Sequence, residues 1–235
     1  PADDKNAPLS VDQFVEDTAE VIQYLRDHLG QEKIFVLGHS WGSVLGIYMV
    51  KRHPNWIHAY IGVGQVVNMM NSERVLYERL FDHAKGQNNK QLLSQLESIA
   101  LYPNPDNPDK SFAAQCYFVR EQLSLLAGET GMHYLLTEGL VNMLKLDNLI
   151  SPHLTLADLT NSIAGDEPAL FRAGFRFAKE NMSIDLPNDV GSCFEVPIFF
   201  FSGRHDYQTP VTLSDKWFSE IKAPHKELIH FEESS

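Results

Sequence analysis

One short stretch constrains the fold of this chain more than any other. Residues 34–37 form an unbroken apolar run, Ile-Phe-Val-Leu, and the sequence Gly-His-Ser-Trp-Gly follows at positions 38–42. Apolar residues then recur at helical spacing from Val44 until His53 and Pro54 end the pattern. A short apolar run of this kind is typical of a strand buried on both faces. The stretch therefore predicts a buried strand, a tight turn and a helix.

The serine at the centre of this turn, Ser40, is a candidate nucleophile. A serine in a sharp strand-to-helix turn is held in a strained backbone conformation that exposes its hydroxyl. We expect glycine at positions 38 and 42, Gly38 and Gly42, because a side chain there would collide with the neighbouring strand or helix. The backbone N–H of Trp41 lies where a helix N-terminus favours an oxyanion. The alternative is an ordinary glycine-rich turn with an unreactive serine.

Composition narrows the class of protein. The 235 residues are 43% hydrophobic and 21% charged, which suits a soluble globular chain with one core and an insertion. No segment approaches the roughly 20 apolar residues of a membrane span. The net charge of -12 argues against a nucleic-acid partner. Cys116 and Cys193 show neither metal-site spacing nor a disulfide framework. We expect the protein to need neither a metal nor a cofactor. The sequence does not determine the cellular compartment, although it favours the cytoplasm, and it does not indicate the oligomeric state.

The hydropathy pattern divides the chain into three segments. Residues 1–64 predict a helix with a capping box at Ser10 and Gln13, then the strand, turn and helix above, and a second strand at 56–63. This β-α-β order implies parallel strands joined by a right-handed crossover. Residues 65–195 predict a helical lid, with helical patterns at 75–84, 91–101, 117–126 and 169–180. Residues 196–235 predict a strand at 196–203, a helix at 210–221 and a last strand at 226–231.

The best candidate for a catalytic acid is Asp206. It comes directly after the predicted strand at 196–203, at the edge of a parallel sheet where ligands bind. Such a carboxylate would orient a histidine and stabilise its protonated form. An ordinary loop aspartate that caps the helix beginning near Pro210 is the alternative. Asp185 and Asp189 are rival acids, although neither follows a strand.

The catalytic histidine has no clear candidate. The chain order serine, acid, histidine would put the base on the loop after the last strand. His225 precedes that strand and His230 lies inside it, while His39 is adjacent to Ser40 at a turn that points neighbouring side chains apart. We expect His205 to be a surface residue of a loop. We keep His230 as an alternative base beside a more ordinary role as a hydrogen-bonded strand residue.

Three stretches resemble the alpha/beta hydrolase superfamily and, within it, the proline iminopeptidase-like group: residues 38–46, 200–210 and 223–232. The resemblance covers residues 10–65 and 195–235 well. It implies an alpha/beta-hydrolase-type parallel sheet with a helical lid, and a serine hydrolase that uses Ser40 and Asp206 through an acyl-enzyme. The substrate would be a small ester, a small amide or a short peptide. A non-catalytic ligand-binding module and a carboxylesterase or acyltransferase are the alternatives.

The same resemblance implies that this sequence is truncated at both ends. The family's catalytic histidine would follow Ser235 closely, and its glycine-rich oxyanion loop and first strands would precede Ser10. Only the C-terminal half of the strands would then be present. In proline iminopeptidases, lid carboxylates bind the substrate amine, and the lid here carries candidates that we do not rank: Glu73, Glu78, Glu97, Glu121, Glu129 and Glu138.

Overall fold

The computed structural model describes residues 10–99, 102–103, 115–116, 118–120, 122–123, 180–206 and 208–234. Its helices are α1 (Val11–Leu29), α2 (Gly42–Arg52), α3 (Met69–Gly86), α4 (Lys90–Glu97), α5 (Leu186–Val190) and α6 (Val211–Glu220). Its strands are β1 (Ile34–His39), β2 (Ile57–Val63), β3 (Ile198–Gly203) and β4 (Lys226–Phe231). All neighbouring strands are parallel, in the order β1-β2-β3-β4. The predicted α/β class and the parallel β-α-β unit are confirmed.

The first helix begins where the sequence indicates. The Ser10 side chain accepts a hydrogen bond of 3.0 Å from the Gln13 backbone N–H, and Gly30 ends α1 in the left-handed conformation at φ 61°. The Gln13 side chain does not return to Ser10, however. It donates to Asp17 one turn further along, so only one half of the predicted capping box forms.

The hydrophobic core lies on one face of the sheet. Val36, Tyr60 and Phe200 point to this face and pack with residues of α1, α2 and α6. On the opposite face of β1, Phe35 is 69% exposed and Leu37 is 63% exposed. The expectation that β1 is buried on both faces is therefore wrong for the part of the chain that the structure describes, because the described helices cover one side only.

The register of the strands brings three chain segments to one edge. His39 pairs with Val63, and Val63 pairs with Phe201, so β1, β2 and β3 reach their carboxyl ends side by side. The residues that follow these strands, at 40, 64 and 204–206, therefore meet at the same edge of the sheet.

Residues 65–195 connect β2 to β3, which are neighbours in the sheet. The predicted pattern at 75–84 is part of the longer α3, and the one at 91–101 gives α4, which ends at Glu97. Residues 118–120 and 122–123 are helical, whereas nearly all of 169–180 lies outside the described residues. Buried side chains of α3 and α4, with Tyr102, Val119 and Leu123, form a hydrophobic cluster separate from the main core. The boundaries of the three predicted segments stay predictions.

Candidate active site

Ser40 occupies the turn between β1 and α2 and has a φ of 51°, in the left-handed region. For a residue other than glycine this conformation costs about 1–3 kcal/mol and persists only where surrounding contacts enforce it. The Ser40 backbone N–H donates to the Val63 carbonyl at 2.9 Å, which extends the pairing of β1 with β2 into the turn. The half-buried side chain thus stands at the carboxyl edge of the sheet.

The two glycines of the turn differ in their surroundings. A Cβ at Gly38 would lie 2.6 Å from the Gly42 carbonyl oxygen and 2.8 Å from Ser43 Cα. Both are backbone atoms that cannot rotate away, so the steric reason expected at Gly38 is present. At Gly42 a Cβ would meet no atom of the described residues within 4 Å. The collision expected at Gly42 is not found among the described residues.

Trp41 is the N-cap residue of α2, with helical dihedral angles of φ −58° and ψ −30°. Its ring packs edge-on against Phe14 with a centroid separation of 5.4 Å. Its indole N–H donates to Asn181 Oδ1 at 2.6 Å. Contacts from α1 and from the segment before β3 therefore hold this side chain. The backbone of Trp41 lies at the helix N-terminus, where the dipole favours negative charge.

Asp206 lies half-buried in the loop after β3. Its Oδ1 accepts hydrogen bonds from the backbone N–H groups of Gln208 at 2.7 Å and Thr209 at 2.8 Å. Its Oδ2 accepts from the Thr209 hydroxyl. Pro210 is the N-cap residue of α6, and no side chain caps this helix with a hydrogen bond. Asp206 therefore orders the loop before α6 and does not cap the helix, contrary to the alternative considered from the sequence.

Ser40 and Asp206 each lie beside the end of β2. A Cβ added to Gly64 would lie 3.3 Å from Asp206 Oδ2, so the carboxylate rests against the backbone there. The preceding residue, Val63, accepts the Ser40 N–H. Gly64 has a φ of 56°, a conformation that disfavours a side chain in addition to the lack of space.

The rival acids are bonded elsewhere. Asp185 precedes α5, and its carboxylate accepts from the Asn188 side chain at 2.8 Å. Asp189 accepts from the Tyr48 hydroxyl at 3.0 Å and from the Asp185 backbone N–H. Burial is the main reason that the pKa of Tyr48 lies above its ordinary value, and the hydrogen bond to Asp189 raises this pKa further. Neither carboxylate follows a strand of the sheet.

The described histidines form no hydrogen bond with Ser40 or Asp206. His230 Nε2 lies 2.8 Å from Asp215 Oδ1 on α6, so it has the ordinary paired role that the sequence left open. His225 is exposed and lies 4.0 Å from Glu227. His205 bonds through its backbone, which donates to the Ser234 carbonyl at 2.9 Å.

A buried charge cluster escaped the sequence analysis. Glu73 is 1% exposed and accepts from the Tyr102 hydroxyl and from Arg120, whose Nε lies 3.0 Å away. Arg120 also donates to the side chain of Gln208, two residues after Asp206.

The cluster shifts the pKa values of two of its members. Burial and the Glu73 charge raise the pKa of Tyr102, and burial raises the pKa of Cys116 to about 11. The sequence did contain a signal for this cluster. Glu73 lies at helical spacing with the apolar residues at 76, 80 and 84, which indicates that it is on the buried face of α3.

Comparison with known proteins gives the family. Residues 5–234 match the family model described as the alpha/beta hydrolase fold. The chain belongs to the alpha/beta hydrolase family. The predicted superfamily and fold are thereby confirmed, while membership of the proline iminopeptidase-like group stays a prediction.

Individual relatives agree with this assignment. Probable aminopeptidase YbaC of Bacillus subtilis (strain 168) is 25% identical over 97% of this chain and 67% of its own length. The fold is similar to 2-hydroxy-6-oxo-6-phenylhexa-2,4-dienoate hydrolase of Rhodococcus sp. strain RHA1, with a TM-score of 0.50 and 18% identity over 97% of this chain and 66% of that one. It is also similar to the fold of Est816, with a TM-score of 0.52 and 12% sequence identity. This match covers 98% of this chain and 68% of Est816. The chain spans about two thirds of the length of these relatives.

Two features are absent from the part of the chain that the structure describes. No helix there is both long and apolar enough to cross a membrane. No group of three or more His, Cys, Asp or Glu side chains there could hold a metal ion.

Proposed function

We propose that this protein is a serine hydrolase that acts through an acyl-enzyme on a small ester or amide. The observation that carries the proposal is the left-handed backbone of Ser40 at the sheet edge, one strand away from a carboxylate, Asp206, that rests against Gly64. Family membership supports hydrolysis in general. The strained serine supports this particular chemistry, because an ordinary turn would use glycine at a positive φ.

In the proposed reaction, Ser40 Oγ attacks the substrate carbonyl carbon while a histidine outside the described residues takes the hydroxyl proton. The negative charge on the carbonyl oxygen develops near the N-terminus of α2, where the Trp41 backbone N–H would stabilise it. The bond to the leaving group breaks and the leaving group takes the proton. Water then attacks the acyl carbonyl carbon while the same base takes its proton; the bond between Ser40 Oγ and the acyl group breaks, Oγ receives the proton and the acid product leaves.

Asp206 has the acceptor capacity that its proposed role requires. A carboxylate offers about four lone-pair sites. Among the described residues, loop donors occupy two of these sites on Oδ1 and one on Oδ2. The remaining site on Oδ2 would accept the ring N–H of the base and hold the imidazole in the required tautomer.

Similarity to a protein named a probable aminopeptidase favours a peptide substrate with a free N-terminus. Such a substrate needs a carboxylate for its amine. Glu73 is an unsuitable ligand because it is buried and already paired with Arg120. Glu78 and Glu97 are exposed and stay candidates. The other lid candidates, Glu121, Glu129 and Glu138, lie outside the described residues.

A fluorophosphonate probe tests the chemistry on the full-length protein. We expect stoichiometric labelling at Ser40, loss of labelling in Ser40→Ala and a large decrease in Asp206→Asn. His230→Gln should label at the wild-type rate, because His230 is paired with Asp215. Equal labelling of wild type and Ser40→Ala would refute the proposal, and no labelling of folded wild type would favour a ligand-binding module.

Turnover distinguishes the substrate classes. We expect release of p-nitroaniline from proline p-nitroanilide if the protein is an aminopeptidase, and only of p-nitrophenol from p-nitrophenyl acetate if it is an esterase. Adding an alcohol acceptor would reveal an acyltransferase as ester formation at the expense of hydrolysis.

A further inference from the structure

Ser43, in the first turn of α2, is completely buried at 0% exposure. Its hydroxyl donates to the Ser40 carbonyl oxygen at 2.5 Å and accepts the Val66 backbone N–H at 2.9 Å. One side-chain oxygen therefore bridges the turn that contains Ser40 and the loop that follows β2. Ser43 is not part of the Gly-x-Ser-x-Gly pattern, so the sequence gives no reason to single it out.

A second layer of polar groups supports this bridge. The Tyr60 hydroxyl lies 3.0 Å from the Ser43 carbonyl oxygen and 2.7 Å from Gln65 Oε1. Gly46 and Gly62 leave the space that the Tyr60 and Gln65 side chains occupy. A Cβ at Gly46 would lie 2.3 Å from the Tyr60 ring, and one at Gly62 would lie 2.4 Å from Gln65 Oε1. A buried polar network with its members satisfied holds its parts in one arrangement.

The bridge connects the two parts of the candidate site. At one end it contacts the carbonyl of Ser40, whose φ of 51° needs outside support. At the other end it holds Val66, two residues after Gly64, and Gly64 is the backbone against which Asp206 rests. The Ser43 hydroxyl thus adds a second link between the Ser40 turn and the segment after β2, beside the hydrogen bond from the Ser40 N–H to the Val63 carbonyl.

We propose that Ser43 is a positioning residue whose hydroxyl fixes the turn of Ser40 relative to the loop that supports Asp206. This inference rests on the proposed function. Removing the hydroxyl keeps the backbone hydrogen bond at the start of α2, in which the Ser40 carbonyl accepts the Ser43 N–H at 2.9 Å. What is lost is the link to Val66. The variant should therefore fold with a displaced nucleophile, and displacement of a reacting group by about 1 Å can cost about 100-fold in rate.

The test compares Ser43→Ala with Ser214→Ala in the full-length protein. Ser214 is also a buried serine, 1% exposed, and donates to the carbonyl three residues earlier in the chain at 2.9 Å, but it lies on α6 and not on the helix that begins at the Ser40 turn. The readouts are the second-order rate of fluorophosphonate labelling, kcat and KM for p-nitrophenyl acetate, and Tm. All rates are measured well below the Tm of each variant.

For Ser43→Ala we expect the labelling rate and kcat to fall about 10- to 100-fold, with KM within about threefold of wild type. Ser214→Ala should keep wild-type rates even if its Tm falls. Wild-type labelling of Ser43→Ala, or equal rate losses in both variants, would overturn the inference. Ser40→Ala separates the two levels of argument: labelling that survives in this variant refutes the proposed function itself.

Tyr60→Phe provides a second variant if Ser43→Ala does not fold. It keeps the ring that fills the space beside Gly46 and removes only the hydroxyl next to the Ser43 carbonyl. We expect a decrease in labelling rate of about 3- to 10-fold, because one support of the bridge is lost. An unchanged labelling rate in folded Tyr60→Phe would overturn the inference in that case.

Discussion

Gly38→Ala tests the geometry of the turn with one added methyl group. The new Cβ would approach the Gly42 carbonyl oxygen to 2.6 Å, about 0.8 Å inside the 3.4 Å at which ordinary contact begins. Overpacking of this kind costs about 1–3 kcal/mol. Alanine also lowers the entropy of the unfolded chain, which offsets about 0.4–1 kcal/mol. We expect the free energy of unfolding to fall by about 1–2 kcal/mol in a urea titration.

The same substitution should affect the candidate nucleophile. The three atoms nearest to the new methyl group all belong to the backbone, so either β1 or the start of α2 must move, and Ser40 lies between them. We expect fluorophosphonate labelling of Ser40 to slow by about 10- to 100-fold.

Gly42→Ala is the matched control. Its Cβ meets no described atom within 4 Å, and alanine is favoured over glycine in a helix by up to about 1 kcal/mol. We expect unchanged or higher stability and a labelling rate within about threefold of wild type. Equal stability losses in the two variants, or wild-type unfolding and labelling of Gly38→Ala, would show that the space beside Gly38 does not constrain the turn.

Two further predictions concern the cluster formed by Glu73, Tyr102, Cys116 and Arg120. Glu73→Gln should lower the free energy of unfolding by about 1.5–3 kcal/mol in urea, because it replaces the buried carboxylate that accepts charge-assisted hydrogen bonds from Arg120, whereas the exposed control Glu78→Gln should change it by less than about 0.5 kcal/mol. Because burial raises the pKa of Cys116 to about 11, little of it is thiolate at pH 8. Mass spectrometry should find iodoacetamide on the exposed Cys193 first, with Cys116 alkylation accelerating towards pH 11; equal rates at pH 8 in the folded protein would contradict the burial argument.

Local sequence signals were sufficient for the elements that form the sheet edge. An apolar run, a glycine-flanked serine and a helical repeat predicted β1, the turn and α2, and the last strand at 226–231 has the predicted bounds. These signals succeed because the preferences of a strand, a tight turn and a helix are set within a few residues. The same reasoning failed for the second face of β1, because an apolar run reports side-chain type and does not show which other segments cover it.

The sequence by itself determined a parallel α/β chain with a serine in a strand-to-helix turn, since periodicity and turn chemistry act over short distances. Only the tertiary structure decided what lies beside that serine. The bridge from Ser43 to Val66 spans 23 positions, and the Arg120 pair with Glu73 spans 47. Contacts between distant residues depend on how whole strands and helices pack, and no local pattern encodes them.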